Sequence, residues 1–567
     1  MRTVTFPGVG ILASRWSRLA IPALGLVVLA GAVAGGALVA GGALGGTAAD
    51  TEPVTPVFAE VAAAAGVEHA YDGEFEFFVG GGVAALDCDD DGFPDLYLAG
   101  GSRPAALYRN TTPPGGTLAF ERLTSPATEL EAVTGAYPLD VDGDARTDLA
   151  VLRRGENVLL RGLGDCRFER ANEALGFDGG DVWTTAFSAT WEPGASLPTL
   201  AFGNYLDESR SLPGNLCFDN ELVRPDADGT GYAPPIPLSP GWCTLSLLFS
   251  DWNRSGTPDL RVSNDRHYWH EYTGGREQLW DVSGATPREY GPEDGWQRMM
   301  IWGMGIGAAD LTGDGLLEYY LTSQGDNKLQ TLAAGATGPT YEDIALRRGV
   351  TAHKPHAGGD RLPSTAWHPA FEDVNNDGRL DLFVTKGNVE AQADHALRDP
   401  SNLLLGRPDG TFVERSVEAG LLTFARGRGA AVVDLDLDGL LDIVQVNRRE
   451  NVSMWHNLGG GTAGEPEPLG RWVAIRLRQA APNVDAIGAW LGVRAGDWRL
   501  VREVTIGGGH VSGSLGWIHV GLGGRDRAEV RVVWPDREAG PWLPVETDRF
   551  VIVERGVTEV REWTPEG

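Results

Sequence analysis

The sequence predicts an all-β chain: a seven-bladed β-propeller over residues 50–460, a linker at 461–470 and a small β-rich domain at 471–560. Three observations predict it. One nine-residue acidic pattern recurs six times. The copies fall at a nearly constant interval, broken by one step of double length. Each copy sits at the same place in a succession of short, apolar, strand-like runs.

The pattern reads Asp-x-Asp-x-Asp-Gly-x-x-Asp. The first copy is Asp87, Asp89, Asp91 and Asp95, and the sixth is Asp434, Asp436, Asp438 and Asp442. Oxygen side chains at positions 1, 3 and 5 of a tight loop point at one centre. Position 7 offers its backbone carbonyl, and position 9 closes the shell. Such a set of hard oxygen ligands suits Ca²⁺. Glycine at position 6 lets the backbone turn sharply. The second copy, Asp140, Asp142, Asp144 and Asp148, keeps four carboxylates but has Ala145 at position 6. The third, Asp251, Asn253, Ser255 and Asp259, keeps two, and is expected to be the weakest site because affinity follows ligand charge. The fourth is Asp310, Thr312, Asp314 and Glu318, and the fifth is Asp373, Asn375, Asp377 and Asp381. The position-7 carbonyls belong to Phe93, Arg146, Thr257, Leu316, Arg379 and Leu440. The expectation is up to six Ca²⁺ ions. Asp, Asn and Gly also make ordinary acidic turns, but six copies in one register favour ion binding. EF-hands are excluded: that motif needs Glu at position 12 between two helices, whereas these loops run into strand-like segments such as Asp95-Leu96-Tyr97-Leu98.

The first ligands stand at 87, 140, 251, 310, 373 and 434, in steps of 53, 111, 59, 63 and 61 residues. The long step is close to two ordinary ones. Within it, Thr199-Leu200-Ala201-Phe202-Gly203-Asn204 aligns with the run that begins at Asp381. Counting back puts Trp191, Pro193, Ala195 and Thr199 at the ligand positions. The first three cannot coordinate through a side chain, so a seventh, metal-free unit is expected. A small apolar strand precedes each loop, as in Gly82–Leu86 and Gly429–Val433, and an aromatic opens the closing stretch, as at Phe168 and Phe412. Several short strands per unit read as propeller blades. Closing seven units into a ring removes the edges that a linear array of modules would leave open. The segment from Phe58 is placed to complete the last blade.

Beyond the repeats, Trp472-Val473-Ala474-Ile475-Arg476-Leu477 and Val530-Arg531-Val532-Val533-Trp534 alternate as half-buried strands do. Gly459-Gly460-Gly461-Thr462-Ala463-Gly464 reads as a flexible connection. The blades resemble the FG-GAP/VCBS repeats of integrin-type propellers. Four motifs in order resemble the ASPIC/UnbV domain: Asp485-Ala486-Ile487-Gly488-Ala489, Gly507-Gly508-Gly509-His510, the run Gly516–Gly523, and Val530–Pro535. That domain follows such repeats in the family of cartilage acidic protein 1 and its bacterial relatives. Two places depart from the family. Pro482-Asn483-Val484 stands where Ser-Asn-Arg is usual, and Gly513-Ser514 replaces a commoner Gln-Ser. The resemblance implies an extracellular Ca²⁺-binding propeller with an accessory β domain, and no established enzymatic activity.

Arg2, Arg15 and Arg18 precede an uncharged stretch from Leu19 to Ala49. It reads as an export signal, with Thr47-Ala48-Ala49 as a small-residue cleavage site. It is also long enough to span a bilayer, so a retained N-terminal anchor is the alternative. A secreted, periplasmic or cell-surface location follows in either case. The formal charge of −31 argues against a nucleic-acid partner. Twenty of the 78 acidic residues occupy ligand positions in the six loops. Four cysteines fit two disulfides, with three connectivities. Cys217 and Cys243 flank a segment, Asn220 to Pro240, that reads as an insertion, and they are the favoured pair. The sequence gives no reason to pair Cys88 with Cys166.

Function divides between a binding module and an enzyme. His267/His270 and His353/His356, with His368 or His395, are a weak signal for a transition metal. A carboxylate pair would serve a polysaccharide lyase or hydrolase, but most carboxylates here belong to the loops. No Gly-x-Ser-x-Gly, phosphate loop or dinucleotide fingerprint occurs. The expectation is a non-catalytic, calcium-dependent module that binds extracellular protein or carbohydrate. Trp252, Trp269, Trp280, Trp296 and Trp302, with the insertion, are its candidate contact residues.

Overall fold

The computed structural model describes residues 52–210, 214–265, 275–462 and 465–565. The export or anchor segment at 1–49, and with it Trp269 and the His267/His270 pair, lies outside them. From Asp50 onward the chain forms one compact unit. Among the described residues it is nearly all β, with a single four-residue α-helix at Ala345–Arg348. No helix among them is long and apolar enough to cross a membrane.

The described strands up to residue 457 pair into seven four-stranded antiparallel meanders, the second and third joined by a short pairing of Val182–Trp183 with Arg154–Gly155. The innermost strands are Val83–Leu86, Val133–Leu139, Val182–Thr190, Thr244–Ser250, Gly303–Ala309, Ala366–Glu372 and Arg426–Val433. Each neighbours the next, and the last touches the first, so a propeller ring closes. Phe58–Glu60 pairs with Ser453–Asn457 and supplies the outer strand of the final blade, fastening one end of the ring to the other. The segment after this blade is held by bridges from Gly459 to Glu467 and from Thr462 to Glu465. The C-terminal domain is two four-stranded sheets packed over Val473, Ile475, Leu491, Val493, Val530 and Val551.

The channel of the ring is filled by the C-terminal domain. A segment at 505–515 runs through it and meets the innermost strand of every blade. Gly513 and Ser514 pair with Ala84 and Ala85, Ser512 with Ala136, Ile506 with Ala189, Gly507 with Leu248, and Gly509 with Ile306. His510 donates its backbone N–H to His368 Nδ1 at 3.0 Å. In the last blade, a Cβ on Gly429 would stand 2.1 Å from Ser512 Oγ. This plug explains the small residues of the inner strands: a Cβ on Gly82 or Gly135 would fall 1.8 or 2.3 Å from the Val511 carbonyl. It also explains the Gly-Gly-Gly-His run. Gly509 has φ +58, and a Cβ there would lie 2.4 Å from the His368 ring.

Two sequence expectations are corrected. Asn220–Pro240 is not an insertion. Asn220–Val223 and Ile236–Leu238 are the outer strands of the third blade, with Leu222 and Leu238 fully buried. Cys217–Cys243 is a disulfide, as favoured, but Cys88 and Cys166 also form one. Cys166 follows the third strand of the second blade and donates its N–H to the Cys88 carbonyl in the first. Side-by-side blades bring them together across 78 residues of sequence.

Filling the channel is a stability requirement. Gly509→Ala introduces a left-handed alanine and the His368 clash together, and should cost about 3 kcal/mol. A denaturant melt reads it directly. A melt that matches the unsubstituted chain would show that the segment does not hold the ring.

Candidate metal loops and their cover

The six acidic loops share one backbone. Each joins the first and second strands of its blade, and position 9 always pairs with the residue before position 1: Leu86 with Asp95, Leu139 with Asp148, Ser250 with Asp259, Ala309 with Glu318, Glu372 with Asp381, Val433 with Asp442. Two residues per loop are left-handed. Position 6 has φ between 70 and 89, and position 4 is left-handed at Asp90, Gly143, Arg254, Gly313, Asn376 and Leu437. At position 4 only Gly143 and Gly313 are glycine, so the second requirement does not stand out in the sequence as the first does.

Hydrogen bonds fix the carboxylates. One oxygen of position 1 accepts the position-6 N–H, as in Gly439 to Asp434 at 2.8 Å. One oxygen of position 5 accepts the position-7 N–H, as in Phe93 to Asp91 at 2.9 Å. At Asp95, Asp148, Asp381 and Asp442, position 9 accepts two backbone N–H groups, one from position 2 and one from the third strand; at Glu318 the Leu311 and Thr312 N–H groups and the Thr331 hydroxyl take these places. In the first loop the two donors are Cys88 and Asn110, at 2.8 and 2.7 Å. The remaining oxygens of positions 1, 3 and 5 are left for the loop centre. Asp87 Oδ1, Asp89 Oδ1 and both oxygens of Asp436 are buried with no hydrogen-bond partner. In the first, second and seventh blades three carboxylates bring oxygens within 4.8 Å of one another: Asp87/Asp89/Asp95, Asp140/Asp142/Asp148 and Asp434/Asp436/Asp442. Buried, orphaned, converging anions are the condition a hard cation relieves. At position 5, Arg146 and Arg379 fold back onto Asp144 and Asp377 and offset part of the charge.

The same crowding shows in acidity. Burial, offset in part by backbone hydrogen bonds, pushes Asp140 up to about 7, Asp148 to about 8 and Asp373 to about 8, and neighbouring carboxylates add to the shift. Asp95, Asp381, Asp434 and Asp442 rise well above the usual carboxylate range for the same reasons. The third loop departs. Asp259 turns an oxygen to Trp252 Nε1 at 2.6 Å, which donates to it, and the Tyr290 hydroxyl donates to the same oxygen at 3.1 Å. That arrangement fits its rank as the weakest site.

The metal-free unit keeps the register. Thr190 pairs with Thr199 where the other blades pair with an acid. Thr199 Oγ1 donates to Glu192 at 2.9 Å, and Arg224 closes on Glu192 at 2.6 Å. A side-chain network stands where the other blades place their carboxylates.

The C-terminal domain covers the loops. Arg476 reaches Asp87 at 3.2 Å, Trp517 donates to the Gly92 carbonyl at 3.1 Å, and Trp498 donates to the Gly378 carbonyl at 2.8 Å. Glu503 accepts from Ser250 Oγ and the Asp251 N–H at 2.6 and 2.8 Å, and Arg502 grips Glu372 through two bonds. Trp472 lies so close to the loop of the seventh blade that a Cβ on Gly439 would come within 1.9 Å of its ring. The C-terminal domain and the loop face do not meet everywhere. A cleft of about 960 Å³ opens between them, lined by Trp191, Pro193, Arg254, Trp490, Trp534 and Arg537 among others.

Among the described residues, the histidines singled out in the sequence do not assemble. His353 meets Asp326, His356 faces Glu414, His395 packs edge-on to Trp302, and His368 is spent on the plug. Trp252, Trp280 and Trp296 are core residues. What sequence reasoning missed is His456, whose Nε2 lies 3.3 Å from Asp436.

Family models match in three places: an FG-GAP-like repeat at 87–151 and again at 373–445, and ASPIC and UnbV at 479–560. The chain carries FG-GAP-like repeats and a C-terminal ASPIC and UnbV domain. The matched FG-GAP-like stretches hold the first two and last two acidic loops; the carboxylate-poor loop at 251 lies outside them. No curated protein matches the chain. Solved structures with a related fold include a lectin from Agrocybe aegerita described as recognising non-reducing terminal N-acetylglucosamine, at 16% identity over 66% of this chain and 92% of that one, with a TM-score of 0.38. A variant of AofleA from Arthrobotrys oligospora is 13% identical over 60% and 88%, TM-score 0.32. A luciferin-regenerating enzyme is 12% identical over 72% and 98%, TM-score 0.33.

Acidity gives the FG-GAP-like loops a test with a definite sign. Burial raises the folded-state pKa of Asp95, Asp140, Asp148, Asp373, Asp381, Asp434 and Asp442 above the ordinary 3.8, to about 8 at Asp148 and Asp373. The metal-stripped fold is therefore most favoured below about pH 4 and loses that stability as pH rises towards about 8. Its melting temperature should fall across this window, and added Ca²⁺ should restore most at the alkaline end. A metal-stripped chain whose melting ignores both pH and Ca²⁺ would show that the loops bind no cation.

Proposed function

We propose that this chain is an exported, calcium-dependent binding module without catalytic activity, whose ligand is an extracellular protein or carbohydrate. The observation that carries it is the set of orphaned, buried carboxylate oxygens in the loops, above all the two of fully buried Asp436. The second oxygen of Asp87 accepts the Gly92 N–H, and the C-terminal domain reaches the same carboxylate through Arg476. An ion held this way pins loop geometry. A catalytic metal needs an open position beside an acid, base or nucleophile.

Ligand contact on this reading falls in the cleft beside the metal-free repeat. That repeat brings Trp191 in place of a ligand-bearing loop, the cleft is wide enough for a small ligand or a loop of a partner, and indole faces with flanking arginines suit sugar rings and protein side chains alike. A glycan and extracellular-protein array, probed with the full chain in Ca²⁺ and again in chelator, tests it. Binding should be seen in Ca²⁺ and fall at least tenfold in chelator. Trp191→Ala and Arg537→Glu should each weaken binding by about tenfold, roughly 1.4 kcal/mol, with the bound calcium count unchanged. Turnover of a polysaccharide by the pure chain, abolished by one carboxylate substitution outside the loops, would overturn it in favour of a lyase or hydrolase.

A further inference from the structure

The acidic loop of the seventh blade, Asp434 to Asp442, differs from the others in what faces it from the third strand of its blade. In that blade Asn457 donates its N–H to Asp442 at 2.8 Å. The preceding residue, His456, is 7% exposed, and its Nε2 has no hydrogen-bond partner although it lies 3.3 Å from Asp436. Asp436 is fully buried and both its oxygens are also unpartnered. His456, Asp436 and Asp438 place ligand atoms within 4.8 Å of one another. Asp436 belongs at the same time to the all-carboxylate group with Asp434 and Asp442. One buried carboxylate thus faces two clusters.

We propose that the loop of the seventh blade binds a second divalent ion, a first-row transition metal of which Zn²⁺ is the representative, on His456 Nε2 and carboxylate oxygens of Asp436 and Asp438, beside the hard cation of the loop itself. The donor set fixes the class. Ca²⁺ takes oxygen ligands, whereas an imidazole nitrogen with carboxylates suits Zn²⁺ and its neighbours. Zinc bonds of about 2.0–2.2 Å set ligand atoms roughly 3–4 Å apart, inside the observed spread. Charge agrees as well: the four carboxylates of this loop balance two divalent ions. Asp438 is only half-buried and stands beside the exposed turn at Gly115, which leaves a side for entry and for water ligands.

The other blades act as internal controls. The residue equivalent to His456 is Arg161 in the second blade, which precedes the Gly162 donor to Asp148. Its guanidinium stands 3.7 Å from Asp142 and supplies a fixed positive charge that cannot ligate. The first blade has Arg109 there and the sixth Leu405. His456 as a mere counter-charge, on the pattern of Arg161, is the competing explanation.

The test uses the full chain, stripped of metal, saturated with Ca²⁺, equilibrated with Zn²⁺ and dialysed before elemental analysis. The unsubstituted chain should hold one equivalent of Zn²⁺ more than His456→Gln, with equal Ca²⁺ in both. Equal zinc in both, or zinc gained only as calcium is lost, would overturn the proposal. The His456→Gln melting curve in Ca²⁺ checks its fold. Should that variant not fold, Co²⁺ added to the Ca²⁺-saturated unsubstituted chain should give ligand-field absorption that Zn²⁺ bleaches, and no such bands would overturn the proposal. A chain that takes up no Ca²⁺ but keeps the His456-dependent zinc would overturn the calcium reading and leave this one standing.

Discussion

The segment at 505–515 in the channel is the contact on which the rest of the molecule depends. A ring of seven sheets leaves a hole at its centre, and the inner strands line it with backbone N–H and C=O groups that need partners. The plug supplies them. Gly508 donates to the Leu247 carbonyl at 2.6 Å, Gly509 exchanges bonds with Ile306, and Ser512 Oγ accepts from Val83 at 3.1 Å. Close approach of backbone to backbone on several sides excludes side chains, so both surfaces are glycine- and alanine-rich. The propeller and the C-terminal domain therefore share one core contact and are not two independent bodies on a tether.

That contact also fixes what lies above it. With the segment anchored in the channel, the rest of the domain can sit only on the loop face. Its positive groups fall where the loops concentrate negative charge: Arg476 on Asp87, Arg502 on Glu372. His519 Nε2 meets Asn376 at 2.6 Å, and Asn376 is the left-handed position of the sixth-blade loop. The loop conformation and the domain seat share atoms. A cation that set the loops would also set the seat, and binding energy at either would be felt at the other.

Much of this was legible in the sequence where the cause is local. The nine-residue register predicts the strand pair that brackets each loop, because position 9 must both close the turn and begin the second strand. The repeat without an acidic loop is legible by its spacing, because Thr199 keeps the strand pattern that Asp381 shows. What was illegible has its cause far away in the chain. Gly507, Gly508 and Gly509 read only as a family motif, since the atoms that forbid a side chain there belong to Ser188, Ile306 and His368. Cys88 and Cys166 gave no reason to pair, since only the ring sets them side by side. Asn220–Val223 looked like an insertion because its blade carries long connections, and its alternation is too short to announce a strand. His456 had no motif at all. It faces Asp436 because strand pairing brings residue 456 beside the loop.

The third blade shows what the acidic loops contribute. It folds into the same four strands with no carboxylate at positions 1, 3, 5 or 9. Thr199, Glu192 and Arg224 make the closing bonds through side chains, with Thr199 fully buried. A blade therefore does not need its acidic loop in order to form. In the others, buried carboxylates raise the energy of the metal-free state, and burial of like charges is tolerated only where something offsets it. Arg161 does so in part for Asp142, and Arg379 for Asp377. At Asp436, whose two oxygens have no hydrogen-bond partner, the one cationic candidate within reach is His456, at 3.3 Å. The repeat without acids is the one beside which the cleft opens. Trp191, Pro193 and Ser196 of its neutral turn line that cleft between Asp142 and Asp251 of the acidic loops on either side, so at this one place indole and proline take the positions that carboxylates hold in the other blades.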